Sequence, residues 1–364
     1  MKLLVISLCT SGVMREHFIT YCRRFSERVE LYCVTNDNVT NEELTAKETL
    51  NVRYKRNRPW TYFSPFKLAR IKRFIKRIAP DVVFVFTPHP VNIPLARFLR
   101  KYALIYQVHD PVPHSGSGRL DSFVLKAQHN KYYRYADKLL VAGNDVARQI
   151  VESAPYVDES KIASVPFGLV DGLAGDATPA KSEDTDVLFF GRVEYYKGLD
   201  ILIEAMKIAG SGYRCRIVGK GDLKEVYGCD LVVPDNVEAT GEFVPDDELA
   251  ESIKRCKVVV LPYRDATGSM TVVQAFYYGR PVIATDVGVF PEYVGDGGMI
   301  VPRGDAKALA EAIVKMLGDD SLRGRCAENA KRIYAERFDM AHIAENLCEL
   351  FNDTLRASGK GNVQ

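Results

Sequence analysis

A glycine-rich loop with two cations follows an apolar run in the second half of the chain. Residues 187–190 are Val-Leu-Phe-Phe, and Gly191, Arg192, Lys197 and Gly198 come after them. A buried strand that ends in such a loop before a helix presents free backbone N–H groups to an anion. Arginine and lysine side chains both bind phosphate oxygens. The pattern therefore predicts a diphosphate site in which Arg192 and Lys197 supply positive charge, although solvated surface cations are the simpler alternative for either residue alone.

Two glycines follow the next apolar run. Residues 215–221 are Cys-Arg-Ile-Val-Gly-Lys-Gly, and Gly219 and Gly221 leave room for a ligand to lie against the backbone. The third glycine of G-x-G-x-x-G is missing, because position 224 is Lys224. This pattern is as typical of a tight turn as of a nucleotide site, and it does not favour an NAD-dependent dehydrogenase.

The longest motif begins after Leu261, where a strand pattern ends in a Gly-Ser turn. Gly268, Ser269 and Met270 open the helix that follows, and Gly279 ends it. The first amides of a helix have no partner within that helix. We therefore expect these three amides to bind sugar hydroxyls or phosphate oxygens.

Two of the six histidines, His109 and His114, lie where a ligand is expected. His109 ends the apolar run 103–108 at its carboxyl end, which is the end that lines crevices in α/β sheets. His114 follows in a Ser- and Gly-rich loop that is suited to admitting a second substrate, and an ordinary loop histidine is an equal alternative.

Asp184 and Asp186 form a D-x-D pair of the kind that holds a diphosphate through a metal ion. They precede a predicted strand, however, and the amino ends of parallel strands point away from ligand sites. We assign them a structural role and expect no metal, because Arg192 and Lys197 take the charge.

The elements that position these residues alternate along the chain. Apolar β-branched runs recur between amphipathic stretches, which predicts βαβ units with buried parallel strands. A chain of 364 residues exceeds what one core supports. We predict an α/β fold of two Rossmann-like doubly wound domains, over 1–172 and 173–338, followed by 339–364. Five strands are predicted in the first domain and six in the second, with their carboxyl ends facing a central cleft.

Charge is divided unevenly between the halves. Residues 1–172 contain 26 Lys+Arg and 16 Asp+Glu, a net charge of +10, whereas 173–364 contain 23 and 31, a net charge of −8. The stretch Thr49–Pro80 has ten basic residues and no acidic one. It includes a predicted helix, Pro65–Ala79 with Ser64 as its cap, and several aromatic residues before it. This basic and aromatic stretch favours contact with an anionic membrane surface. A solvated helix is the simpler alternative. Nucleic acid is not favoured as a partner, because no nucleic-acid recognition motif accompanies the charge.

Cysteine spacing and hydropathy indicate the cellular compartment in which the protein is expected. The eight cysteines are scattered without a C-x-x-C pair, which is typical of reduced thiols. No apolar run approaches the ~18 residues of a membrane-spanning helix, and the first apolar run is too short for a signal peptide. We expect a cytoplasmic protein that is peripheral at the cytoplasmic face of the membrane.

The order and spacing of these motifs resemble retaining glycosyltransferases of family 4, the glycosyl transferases group 1, which have the GT-B fold. The resemblance covers nearly the whole chain. It rests on Gly191-Arg192 with Lys197-Gly198, residues 218–221, 240–244, 274–285 and 337–340, and in the first half on 108–110, 136–142 and 165–168.

The resemblance implies a role for each candidate residue. Arg192 and Lys197 would neutralise the donor diphosphate as it leaves, and His109 would face the transferred sugar. Gln274 would hold the nucleotide ribose, and Phe243 and Val244 would lie near the nucleobase. The donor-binding set is then Gly191, Gly219, Gly221, Phe243, Val244, Gly268, Ser269, Met270 and Gln274, and the acceptor-side set is Ser11, Gly12 and His114.

The resemblance also implies an activity, namely transfer of a sugar with retention from a nucleotide sugar to a lipid-linked or other glycan acceptor. The setting would be polysaccharide or glycolipid assembly, with no cofactor, and the helix in 339–364 would return toward the first domain. The family pattern Glu-x7-Glu is replaced here by Ala266 and Gln274. A GT-B-fold sugar-nucleotide epimerase and a non-catalytic subunit that binds nucleotide or a partner protein are the alternatives.

Overall fold

Two parallel β-sheets organise the chain. The computed structural model describes residues 1–8, 12–36, 38–54, 64–111, 119–180, 182–266 and 268–360. One unit comprises 1–166 together with 340–364, and the other comprises 167–339. The chain passes from the first unit to the second after Pro166 and returns to the first after Asp339.

The first unit contains a seven-stranded parallel sheet with the order β3-β2-β1-β4-β5-β6-β7. Its central strands are buried along their whole length, since helices cover both faces. The strands are β1 (Lys2–Ser7), β2 (Glu30–Thr35), β3 (Glu48–Asn51), β4 (Val82–Val85), β5 (Ala103–Gln107), β6 (Lys138–Val141) and β7 (Ile162–Ser164).

Among the described residues, six helices connect these strands, and the helix that follows the second unit belongs to the first unit as well. The connecting helices are α1 (Val13–Ser26), α2 (Asn41–Leu44), α3 (Pro65–Ile78), α4 (Asn92–Leu99), α5 (Arg119–Tyr135) and α6 (Asn144–Ser153). The last helix, α14 (Met340–Ser358), packs on the first unit, where its Phe351 ring lies 5.6 Å from Phe25 and 5.3 Å from Phe84, measured between ring centroids.

The second unit contains a six-stranded parallel sheet with the order β10-β9-β8-β11-β12-β13. The strands are β8 (Thr185–Phe190), β9 (Cys215–Lys220), β10 (Val237–Gly241), β11 (Cys256–Leu261), β12 (Val282–Thr285) and β13 (Gly298–Val301). The helices are α7 (Leu199–Ala209), α8 (Leu223–Tyr227), α9 (Asp246–Arg255), α10 (Met270–Tyr277), α11 (Phe290–Val294), α12 (Ala306–Gly318) and α13 (Asp320–Ile333).

The strand order reverses once in each sheet, between β1 and β4 and between β8 and β11. Ligands of open α/β sheets bind outside the carboxyl ends of the strands at this point. In the second unit, the segments that leave these two ends are 191–198 and 262–266.

The predicted α/β class with two doubly wound sheets is confirmed, and all six strands predicted in the second sheet are present. The strands β3 and β7 were not predicted, because they are short edge strands with mixed polarity, Glu-Thr-Leu-Asn and Ile-Ala-Ser. The predicted side-chain cap at Ser64 is wrong, since its side chain makes no cap hydrogen bond to the described residues of α3; its carbonyl oxygen accepts a bond from the Leu68 amide at 3.0 Å.

Among the described residues, no helix is both long and apolar enough to cross a membrane.

The packing of α14 predicts that Phe351→Ala destabilises the first unit. The ring is fully buried between two other rings, so its removal leaves a cavity and is expected to cost about 3–5 kcal/mol of unfolding free energy. Urea titration followed by circular dichroism measures the change. Phe66→Ala is the control, because that ring is 87% exposed and its loss is expected to cost at most about 0.5 kcal/mol. Equal losses for the two variants would contradict this packing.

Candidate functional site

The loop that leaves β8 packs closely against the ends of the neighbouring strands. Gly219, at the end of β9, has φ +148°, and a Cβ there would lie 2.1 Å from the carbonyl oxygen of Gly191. A Cβ on Gly221 would lie 2.7 Å from Cβ of Val193. The predicted glycines therefore allow the loops after β8 and β9 to touch, because no side chain fits between their backbones.

Lys197 lies at the end of this loop and is buried. Its Nζ donates a hydrogen bond to the hydroxyl of Tyr263 at 2.6 Å. Burial lowers the pKa of the Lys197 ammonium, whereas Tyr196 and Glu194 act in the opposite direction. Ammonium groups are rarely buried, because desolvation disfavours the charge. This arrangement is suited to an anion, because an anion would favour the charged form.

Arg192 lies at the start of the same loop but is 75% exposed in its side chain. Its guanidinium Nη1 pairs with Oε1 of Glu194 at 2.9 Å. An exposed pair of this kind contributes little to stability, so the guanidinium is able to exchange Glu194 for another anion at small cost. The structure thus places Arg192 on the same loop as Lys197 but gives the two cations different surroundings.

Two buried polar atoms near the start of α10, Oγ of Ser269 and Nε2 of Gln274, have no hydrogen-bond partner among the described residues. Ser269 precedes the helix and its side chain does not cap it. Gly268 is exposed beside it. Buried polar atoms are nearly always bonded, so two orphans close to a helix start indicate a place for ligand atoms.

Phe243 and Val244 follow β10, two strands away from β8. The backbone of Gly241 accepts a hydrogen bond from the Gly221 amide at 3.0 Å, which joins the ends of β9 and β10. Phe243 is 74% exposed, and a flat exposed ring offers a stacking surface.

In the first unit, His109 follows β5. Its Nε2 lies 2.7 Å from the carbonyl oxygen of Phe86, so Nε2 carries the proton, because a carbonyl only accepts. Burial lowers the pKa of His109 and favours the neutral ring. Gly12, with φ +56°, precedes α1, whereas Ser11 and His114 lie outside the described residues.

The aspartates of the D-x-D pair are engaged at the amino end of the second sheet. Asp184 pairs with Arg255, and Oδ1 of Asp186 pairs with Nζ of Lys257 at 2.8 Å. A cavity of about 540 Å³ lies at this end, lined by charged side chains that include Asp184, Arg214, Arg216, Asp235 and Glu238. No cluster of three or more His, Cys, Asp or Glu side chains suited to a metal occurs within the part of the chain that the structure describes.

Three residues around the loop had no predicted role. They are Tyr263, Arg264 and Tyr227, whose hydroxyl donates to the carbonyl oxygen of Glu194 at 2.7 Å. Arg264 binds both carboxylate oxygens of Asp200, at 2.9 and 2.6 Å. The sequence signal that could have identified Tyr263 and Arg264 is their position just after the apolar run of β11, at the end of the sheet where ligands are expected.

Two family models match the chain. The model described as "Glycosyltransferase Family 4" matches residues 14–170, and the model described as "Glycosyl transferases group 1" matches residues 176–333. The two matches follow the two units of the fold, one after the other.

Curated relatives are similar to the chain at modest identity. The phosphatidyl-myo-inositol mannosyltransferase of Mycobacterium leprae is 26% identical over 315 residues, covering 82% of this chain and 79% of that protein. The alpha-D-kanosaminyltransferase of Streptomyces kanamyceticus is 28% identical over 176 residues, covering 46% of this chain. In the latter case the match spans 45% of the relative, less than half of its length.

Solved structures are similar over nearly the whole chain. Anabaena HepE in complex with UDP has a TM-score of 0.77 at 17% identity, covering 97% of this chain and 100% of that one. The sucrose-phosphate synthase of Thermosynechococcus elongatus has a TM-score of 0.72 at 18% identity, covering 98% of this chain and 99% of that one. At these identities the likeness concerns the fold, and the predicted GT-B class is confirmed.

The close contact between loops predicts that Gly219→Ala destabilises the second unit. The new Cβ would meet the Gly191 carbonyl and hold a φ that alanine rarely adopts, which is expected to cost at least about 2 kcal/mol. Gly212→Ala is the matched control, because nothing lies within 4 Å of its Cβ position. Thermal unfolding of both variants measures the difference. A Gly219→Ala protein as stable as the control would contradict the contact.

Proposed function

Because the chain belongs to the group 1 and family 4 glycosyltransferases, we propose that it transfers a sugar with retention from a nucleotide-sugar donor to a lipid-linked or other glycan acceptor. The observation that carries the proposal is the buried ammonium of Lys197 at the carboxyl end of β8, where the strand order reverses. A buried cation at this position needs an anionic ligand, and a donor diphosphate is such a ligand.

In the proposed mechanism, the bond between the sugar and the diphosphate breaks as negative charge develops on the leaving phosphate. Lys197 stabilises that charge from a buried position, where an electrostatic contact is stronger than in water. Arg192 turns from Glu194 to the same phosphate. The acceptor hydroxyl attacks from the face that the phosphate leaves, and the phosphate oxygen takes its proton.

The start of α10 and the end of β10 hold the rest of the donor in this proposal. The amides of Gly268, Ser269 and Met270 bind the sugar and phosphate oxygens, and the Gln274 amide binds the ribose hydroxyls. These proposed donor contacts are supported by the two buried polar atoms, Oγ of Ser269 and Nε2 of Gln274, that have no hydrogen-bond partner among the described residues. Phe243 stacks on the nucleobase. Solved neighbours in complex with UDP and with UDP-glucose, and relatives that are mannosyltransferases, support a nucleotide-sugar donor.

On the acceptor side we propose His109, Gly12, Ser11 and His114. A neutral His109 with its proton on Nε2 has Nδ1 as its acceptor atom, and an acceptor is the group that a sugar hydroxyl donates to. No metal or cofactor is needed in this proposal, because side chains neutralise the diphosphate.

A second proposal concerns peripheral contact of the first unit with an anionic membrane. Helix α3 buries one apolar face and exposes Arg70, Arg73 and Lys76. Phe66 is exposed at its amino end, where an aromatic ring suits a headgroup interface. Arg77 instead pairs with Glu48, and residues 55–63 lie outside the described part of the chain.

We predict that Arg192→Ala and Lys197→Ala each lower turnover at least ~100-fold, the scale of losing one charge contact in a transition state. A thermal-shift screen of nucleotide sugars first identifies the donor, because a ligand bound only by the folded state raises the midpoint. Release of nucleoside diphosphate then measures turnover. Lys315→Ala, which removes an exposed cation from α12, is expected to turn over normally.

Turnover of both variants at the parent rate would contradict the diphosphate assignment. Loss of activity in excess EDTA that Mg²⁺ restores would contradict metal independence. Interconversion of nucleotide sugars without diphosphate release would indicate an epimerase, and binding without any turnover would indicate a non-catalytic subunit.

We predict that the parent floats with vesicles rich in anionic lipid, not with neutral ones, and is released near ~1 M salt, where screening shortens to about 3 Å. Replacing Arg70, Arg73 and Lys76 together with serine is expected to abolish most of this binding. The control replaces Arg303, Lys307 and Lys315 with serine, an equal change of charge on exposed residues of the second unit. If both triple variants float like the parent, α3 is only a solvated helix.

A further inference from the structure

A buried hydroxyl lies beside the proposed diphosphate site. It belongs to Tyr263, the second residue after β11, and its oxygen lies 2.6 Å from Nζ of Lys197. Both side chains are buried. An ammonium group has only donors, so Lys197 donates and the Tyr263 oxygen accepts. Burial raises the pKa of Tyr263 above its usual range, so the hydroxyl keeps its own proton.

The Tyr263 side chain is held from several directions. Its hydroxyl lies 3.4 Å from Oγ1 of Thr271 on α10. Its ring packs edge-on against Phe290 and Tyr196, with centroid separations of 5.1 and 5.8 Å. Its carbonyl oxygen accepts a hydrogen bond from Thr285 at 2.6 Å. A ring fixed in this way is a rigid partner for a flexible lysine side chain.

The next residue holds the backbone of the lysine loop. The amide of Arg264 donates to the carbonyl oxygen of Tyr196 at 2.7 Å, and its guanidinium donates to that of Tyr195 at 3.0 Å. Asp200 binds the same guanidinium through both carboxylate oxygens. Consecutive residues after β11 therefore hold both the side chain of Lys197 and the two residues that precede it.

We propose that Tyr263 is a positioning residue for Lys197, whose hydroxyl oxygen holds the ammonium in the place where the diphosphate binds. This inference rests on the proposed function. Among the described residues, the other charged or titratable groups that act on the ammonium are Arg192, Glu194 and Tyr196, all on its own loop. Without the Tyr263 oxygen, the buried ammonium would lose an acceptor and its charged form would be less favoured.

Tyr263→Phe tests the proposal, because it removes one oxygen and keeps the ring. Titration calorimetry with UDP and with GDP between pH 7 and 10 measures binding of the diphosphate. We expect the Kd of the diphosphate that binds to rise about tenfold at neutral pH, the scale of one hydrogen bond to a charged group. We also expect the basic pH at which binding is lost to fall by about one unit. The Kd of the corresponding nucleoside is expected to stay the same.

The control is Tyr132→Phe, which removes an equally buried hydroxyl that donates to the Asn92 carbonyl in the first unit at 3.1 Å. It is expected to change neither Kd nor the pH at which binding is lost. The unfolding midpoint of each variant is measured alongside, so that a loss of binding through unfolding is recognised.

A double-mutant cycle separates positioning from a structural role. In a Lys197→Ala background, Tyr263→Phe is expected to change the diphosphate Kd less than twofold, because its effect acts through the lysine. Equal effects in both backgrounds, or a weaker Kd without a pH shift, would overturn the inference. Parent-like binding by Tyr263→Phe while Lys197→Ala loses binding would overturn only the inference. Parent-like binding by Lys197→Ala, or no binding of either diphosphate by the parent, would contradict the proposed function as well.

Discussion

The burial of the Lys197 ammonium is the interaction on which the proposed chemistry of the second unit depends. A charge removed from water needs a counter-charge or strong dipoles; in the structure the ammonium donates to the neutral hydroxyl of Tyr263, and Glu194 on the same loop favours its charged form. The free energy lost to desolvation is recovered when an anion binds. A site built in this way is incomplete without its ligand: burial lowers the pKa of Lys197, whereas the nearby Arg192 is exposed and paired with Glu194.

Backbone contacts make this burial possible. The loops after β8, β9 and β10 touch through glycines, and the close approach leaves no room for a side chain at Gly219 or Gly221. The strand order reverses between β8 and β11, and the segment after β11 binds the Lys197 loop (191–198) through Tyr263 and Arg264. The same segment leads into α10, whose start contains the orphaned atoms of Ser269 and Gln274. Fold topology thus brings the proposed phosphate, sugar and ribose contacts to one end of a single sheet.

Much of this was predictable from the sequence, because buried parallel strands are continuous apolar runs. All six strands of the second sheet and the position of the lysine loop follow from that pattern. The edge strands β3 and β7 do not, since half-exposed short strands have no such run. The role of Tyr263 was beyond prediction for another reason: its partner, Lys197, is 66 residues away in the chain, and only the strand order brings them together. The different environments of Arg192 and Lys197 likewise depend on tertiary packing.

A crystal structure of the chain with bound UDP or GDP tests the central claim most directly. The account predicts a phosphate oxygen within hydrogen-bond distance of Nζ of Lys197, about 2.7–3.2 Å, with the nucleobase toward Phe243. A diphosphate bound instead in the cavity at the amino end of the second sheet, against Arg214 and Arg216, would contradict it, as would a bound diphosphate that leaves Lys197 hydrogen-bonded to Tyr263 alone.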